Sequence, residues 1–337
     1  MTTDGRRVRS VARLAGPVAV LALAGALSGA APAPAPDGQR FALLVQGTSG
    51  DPAYAALHRG WLDRLVNVLR TTYKFDAARM TVLAEQPAAG EERATADNVR
   101  AALGRLAAAM KADDLLFVML IGHGAGEGTE ARFNLVGPDL SITEWNALLK
   151  PIPGRVAVVD ATSSSFPFLS GLAAPGRIII TATSSYSQKW HTVFADAFVA
   201  ALESSAADAD KNGRVSLLEA FTYASRLVAQ HYEKDGRLAT ERAVLDDTGD
   251  GVGRDATSAG PDGAVAGVTY LDVLGTPTVA DPELQALLVR QRELTEQVDD
   301  LRRRRLVLPA AEFDREFERL IIELSLVSRD VRRRTGG

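Results

Sequence analysis

Apolar residues along this chain fall into two kinds of run. Unbroken stretches at 41–46, 80–84, 115–121, 155–160 and 177–182 alternate with longer stretches, 54–73, 95–110, 141–149 and 193–203, in which apolar positions recur every three or four residues. An uninterrupted apolar run bounded by polar residues fits a strand buried on both faces, and the three-to-four period fits an amphipathic helix. Their alternation predicts an α/β fold with a mainly parallel sheet covered on both sides. In such sheets chemistry collects at the carboxyl ends of the strands, which directs attention to the residues just after 121 and just after 160.

Beyond Pro282 the pattern changes. Leu287, Leu294 and Leu301 recur every seven residues with Leu284 and Val298 between them, and Phe313, Phe317, Leu320, Leu324, Val327 and Val331 step by four and three. Two helices with narrow apolar seams, broken near Leu308-Pro309, predict an antiparallel, coiled-coil-like hairpin. Arg302 to Arg305 sits near that turn, where a solvated helix end suits the helix dipole. The chain is thus expected to divide into a leader at 1–30, an Ala/Pro linker at 31–39, an α/β domain at 40–280 and a helical hairpin at 281–337.

Four arginines, Arg6, Arg7, Arg9 and Arg13, precede a short apolar stretch that ends in the small residues Ser28-Gly29-Ala30. This is the layout of a signal peptide, and the stretch is short of the roughly 20 residues of a spanning helix. Export to a periplasm or exterior is expected, with no stable membrane span after cleavage. Loss of those arginines leaves the mature chain more acidic than the formal net charge of −4 of the full sequence, which argues against nucleic acid as a partner. The sequence contains no cysteine, so an exported form must rely on its core rather than on disulfides.

The absence of cysteine matters more for the chemistry. The run 115–121 ends in Gly122-His123-Gly124, and the run 155–159 ends in Asp160-Ala161-Thr162-Ser163-Ser164. A histidine and a small nucleophile-type residue at the ends of successive buried strands form a dyad layout. Residues 40 to 230, through this order and spacing and the following Ile178-Ile179-Ile180-Thr181-Ala182-Thr183, resemble the legumain-like cysteine peptidases, within the wider group that includes caspases and gingipains. The resemblance implies a caspase-like three-layer fold with His123 as the family histidine, and it places Thr162 where the family has its catalytic cysteine. A thiolate forms near neutral pH, whereas a hydroxyl stays protonated and needs a base and an orienting group. The β-branched Thr162 also brings a methyl group beside any nucleophile. Two readings follow: a pseudoenzyme that binds a protein or peptide partner, or a hydrolase that uses Thr162, Ser163 or Ser164 with His123 as base. His58, His191 and His231 lack comparable context and are expected to be structural or on the surface. The glycines at 122, 124, 126 and 128 form no phosphate-loop motif.

The most complete local motif is Asp208-Ala209-Asp210-Lys211-Asn212-Gly213-Arg214-Val215-Ser216-Leu217-Leu218-Glu219. Oxygen ligands at loop positions one, three, five and nine, a backbone carbonyl from Arg214 at seven, a glycine at six and a glutamate at twelve match an EF-hand-type calcium loop. The metal ligands are therefore expected to be Asp208, Asp210, Asn212, Arg214, Ser216 and Glu219, with Ca2+ in a structural role between two helices. Asp246, Asp247 and Asp250 form a second acidic stretch without a chelating glutamate, which fits a solvated turn better than a second metal loop. Self-association through the hairpin is a further expectation, and a protein whose main role is calcium-dependent assembly is a third reading.

Overall fold

A computed structural model describes residues 38–273, 279, 281–305 and 307–335. The expected leader at 1–30, and all of the Ala/Pro linker except Gly38 and Gln39, lie outside the described residues. In chain order the strands are β1 (Arg40–Gln46), β2 (Met80–Ala84), β3 (Glu92–Arg93), β4 (Leu115–Ile121), β5 (Gly124–Ala125), β6 (Arg132–Phe133), β7 (Leu140–Ser141), β8 (Arg155–Asp160), β9 (Arg177–Thr181) and β10 (Val244–Asp246). The α-helices are α1 (Pro52–Thr71), α2 (Ala96–Ala109), α3 (Ile142–Leu149), α4 (Phe166–Leu172), α5 (Phe194–Glu203), α6 (Leu217–Lys234), α7 (Pro282–Arg303) and α8 (Ala310–Thr335).

Seven strands form one sheet in the order β10-β9-β8-β4-β1-β2-β3, parallel throughout except for β10, which pairs antiparallel with β9. Every residue of β1 and β4 is buried, as continuous apolar runs at the centre of a doubly covered sheet require. Alternate residues feed opposite cores. Ala42 and Leu44 of β1 pack with α1, α5 and α6, whereas Phe41, Leu43 and Val45 pack with α2, α3 and α4. The result is the α/β three-layer architecture expected from the apolar pattern.

Helix starts are written in side chains. Asp51 accepts from the N–H of Ala53 at the start of α1, with Pro52 at the first helical position, and Ser141 with Glu144 forms a capping box on α3. Ser216 and Glu219 do the same for α6.

The two C-terminal helices run antiparallel. Arg334 at the end of α8 pairs with Asp281 and Glu283 at the start of α7, and Gln291 donates to Ser328 at 2.9 Å. Leu294, Val298, Leu301, Phe313 and Leu320 make the seam. This hairpin leans on the α/β body through Arg214, whose guanidinium bonds Asp272 at 2.9 Å, lies 3.7 Å from the Tyr270 ring centre and comes within 4.0 Å of Asp299 on α7.

The turn at 246–253 starts buried and ends in solvent: Asp246 and Asp247 are buried, whereas Asp250 and Val252 are exposed. Asp246 accepts from the N–H groups of Thr248, Gly249 and Gly251, and Asp247 accepts from those of Gly263, Val265 and Ala266. With six backbone donors on these two carboxylates, the turn serves the backbone, which explains two aspartates in a buried position.

Candidate functional site

β4 and β8 are neighbours in register, so the residues that leave their carboxyl ends share one rim of the sheet. Gly124 makes the closest approach there. A Cβ on it would stand 2.5 Å from the Ser163 carbonyl oxygen and 3.3 Å from that of Arg132, so only glycine lets the two segments meet.

His123 is half-buried and held at both ring nitrogens. Its Nε2 lies 3.1 Å from the backbone carbonyl of Ser49, and its Nδ1 lies 3.5 Å from Ser163 Oγ. A carbonyl only accepts, so Nε2 carries the proton of the neutral ring and Nδ1 presents a lone pair toward Ser163. Burial depresses the His123 pKa below the ordinary imidazole range, and the bond to Ser49 partly offsets this. The Gly124 N–H points at the same Ser163 oxygen from 3.5 Å.

No hydrogen bond joins Thr162 to the histidine, although its hydroxyl lies 3.2 Å from where a Cβ on Gly124 would stand. Its hydroxyl donates to Asp160 Oδ1 at 2.6 Å, its N–H donates to the same oxygen at 3.1 Å, and the residue is 1% exposed. Of the two expected hydroxyls, Ser163 is the one in hydrogen-bond range of His123, while that of Thr162 is taken by Asp160. The physical reason is local, since an aspartate two residues earlier captures both polar hydrogens of Thr162 in a side-chain turn. Asp160 is fully buried, its Oδ2 has no hydrogen-bond partner, and desolvation raises its pKa to about 6. Ser164 follows with φ +57, and its N–H donates to the Gln188 carbonyl at 3.2 Å. The rim hydroxyls are thus covered rather than open, with Ser163 only 3% exposed.

The segment from Ser184 to Thr192 forms the cover. Lys189 pairs with Glu127 at 2.5 Å, Thr192 Oγ1 donates to the Ala161 carbonyl at 2.7 Å, and Tyr186 and Trp190 stay exposed, Trp190 at 70%.

Sequence reasoning set aside two residues that belong here. Three of the four histidines converge, with the His123 ring centre 5.4 Å from that of His58 and 5.9 Å from that of His191. Tyr54 stacks on His191 at 4.2 Å, and Trp61 lies 5.3 Å from His58. Burial and neighbouring imidazoles hold His58 down at about 3 and His191 at about 4. Tyr54, His58 and Trp61 occupy positions i, i+4 and i+7 of α1, a helical stripe that could have signalled His58. His191 carries no comparable signal. His231 lies on the surface, 3.9 Å from Asp235.

The 208–219 loop folds around its own carboxylates. One oxygen each from Asp208, Asp210 and Glu219 lies within 4.8 Å of the others. Asp208 accepts from the N–H groups of Asn212 and Gly213, and Glu219 accepts from those of Ala209, Asp210 and Ser216. Gly213 takes φ +85 at the sharp turn. Asn212 Oδ1 accepts from the Arg214 N–H, and Ser216 Oγ donates to Glu219 while capping α6. Three carboxylates and further hard oxygens suit a calcium-sized cation in their chemistry. Ser216 also forms an isolated antiparallel bridge with Tyr270.

No known family model matches the sequence, and no curated protein matches it. Among solved structures, the chain is similar to a Geobacter sulfurreducens protein from structural genomics, at 14% identity and a TM-score of 0.44 over 70% of this chain and 100% of that one. It is also similar to the Drosophila initiator caspase Dronc, at 11% identity and a TM-score of 0.41 over 65% of this chain and 83% of that one. Likenesses this distant leave function to the geometry of the rim and the loop.

Proposed function

We propose that this is an exported, calcium-stabilised α/β protein of caspase-like build whose rim binds a protein or peptide segment without cysteine-peptidase chemistry. One observation carries the reading. Thr162, the residue that the family resemblance sets in the thiol position, has its hydroxyl committed to the buried Asp160 and is shielded from solvent. The exposed Trp190, beside the rim, offers the kind of aromatic anchor on which peptide interfaces concentrate their binding energy. Export rests on the leader-like residues 1–30, and calcium rests on the donor set of 208–219.

A second reading is favoured by a specific contact. Ser163, His123 and the Ser49 carbonyl form a nucleophile, base and orienting group in series. In that hydrolase the Ser163 oxygen would attack a peptide carbonyl as its proton passes to His123 Nδ1. The imidazolium would return that proton to the leaving amine as the C–N bond breaks, and water would then release the acyl group from Ser163. The 3.5 Å separation must shorten to the 2.6–3.2 Å range for the first transfer.

One experiment tests both. The mature protein is incubated with a mixture of unmodified peptides, and retained and cleaved products are read by mass spectrometry, alongside labelling with a fluorophosphonate. Retention of intact peptides, weakened by Trp190→Ala, and no labelling are expected. Cleavage together with labelling that Ser163→Ala and His123→Ala abolish would replace the first reading by the second.

A further inference from the structure

We propose that His58 is a positioning residue for His123, acting through Ser49 to keep the His123 Nδ1 lone pair turned toward Ser163. The inference rests on the rim being the functional site and adds a residue to it from a different element, the first turns of α1.

The connection is a chain of two hydrogen bonds through a single residue. Ser49 Oγ lies 3.0 Å from His58 Nδ1, and both residues are only 1% exposed. The carbonyl of that same Ser49 receives His123 Nε2. Ser49 sits in the connection between β1 and α1, next to Gly50 with φ +72, so neighbouring residues restrict its peptide plane weakly. A buried side-chain bond to His58 is what fixes the plane, since water does not reach the site to substitute for it. The His58 ring is itself locked. It stacks parallel to His191 with centres 5.6 Å apart, with Nδ1 toward Ser49 rather than along the helix.

The consequence is chemical. A neutral imidazole carries its proton on one nitrogen, and the bond made by the other nitrogen decides which. If the Ser49 carbonyl swings away, His123 loses the acceptor that holds its proton on Nε2, and the proton can move to Nδ1. Ser163 would then face a donor instead of an acceptor. A base toward Ser163, or an acceptor toward a bound segment, is lost in either reading of the rim.

The test is nitrogen-15 NMR of histidine-labelled mature protein near pH 7.5, where long-range proton–nitrogen correlations report the tautomer of each ring. His123 is expected in the Nε2–H form. His58→Ala should raise its ratio of Nδ1–H to Nε2–H by about five-fold, the effect of one ordinary buried hydrogen bond. His58→Asn, which returns a polar group near Nδ1, should restore the ratio, and Trp61→Phe, which disturbs packing alone, should leave it unchanged. Should His58→Ala fail to fold, Ser49→Ala deletes a single oxygen and carries the same expectation. An Nδ1–H form in the unmodified protein, no change in His58→Ala or Ser49→Ala, or an equal change in Trp61→Phe would each overturn the proposal. The tautomers are read without peptide or fluorophosphonate, so failure of the rim to bind or react leaves this result standing on its own.

Discussion

The 208–219 loop and the rim of the sheet are built from opposite kinds of information. The loop uses twelve consecutive residues, and its polar groups bond mainly to one another. The rim draws Ser49, His58, His123, Ser163 and His191 from five separate segments, which meet only because β1, β4 and β8 lie side by side and a cover segment folds over them. The difference teaches where spacing is a reliable guide. Local loop geometry survives in a sequence, while a site assembled across a sheet depends on the direction of each side chain at a strand end.

The loop's half of that contrast breaks most visibly with calcium. Three carboxylates close together repel when unliganded, and a cation would relieve this. At a hundred-fold excess over the dissociation constant a single site stabilises by about 2.7 kcal/mol, and for a weak extracellular-type site of about 10⁻⁴ M that means roughly 10 mM calcium. Thermal unfolding of the protein from residue 31 onward should shift upward by several degrees, and Glu219→Gln should remove most of the shift. An unfolding curve unmoved by calcium and by chelator would leave the loop as a capping turn of α6.

The rim's half is sharpened by pH. His58 and His191 are held at about 3 and about 4, below the ordinary value of 6.5, and His123 is depressed as well. As pH falls below 6.5 the unfolded chain takes up protons that the folded cluster refuses, so this contribution to stability is full above 6.5 and declines toward pH 4. Glu241 and Asp160 act in the other sense. Burial raises them to about 7 and about 6, so the folded protein keeps protons that the unfolded chain releases, and stability falls as pH climbs from the ordinary carboxylate range toward 7. His58→Gln should therefore flatten the acid limb of a denaturant-derived stability curve by about one proton, or ~1.4 kcal/mol per pH unit between pH 4 and 6. Glu241→Gln should raise stability at pH 8 relative to pH 4.5. An acid limb that keeps its slope in His58→Gln would mean that this ring titrates freely in the folded protein.

Much of the architecture was legible because it follows from uninterrupted apolar runs: β2 and β4 have the bounds expected from the pattern, and β1 differs by one residue. What escaped was short or edge-bound. Helix α4 opens with Phe166-Pro167 and contains Gly171, whose missing Cβ makes room for Ile142, so no period marks it. Strand β10 is three residues long, ends in a buried aspartate and owes its existence to the free edge of β9. At the rim, His123 was legible from the strand that delivers it and the flanking glycines. Which hydroxyl bonds the histidine was not, because it turns on Asp160 capturing that of Thr162, an event decided by burial.

That last choice gives the finest test. Thr162→Cys and Ser163→Cys each put a single thiol into a chain that has none, so alkylation by iodoacetamide reports one site at a time. Reactivity follows thiolate content and access. A thiol at 163 lies beside the His123 Nδ1 lone pair and the Gly124 N–H, both suited to take up its proton or steady its charge. A thiol at 162 lies against the buried Asp160 carboxylate, which disfavours a second negative charge. Ser163→Cys should alkylate about ten-fold faster than Thr162→Cys, a difference of ~1.4 kcal/mol in the thiolate's environment. His123→Ala should reduce the rate at 163 while sparing that at 162. Equal rates, or a faster reaction at 162, would make Thr162 the more activated position and its bond to Asp160 a feature of the resting protein alone.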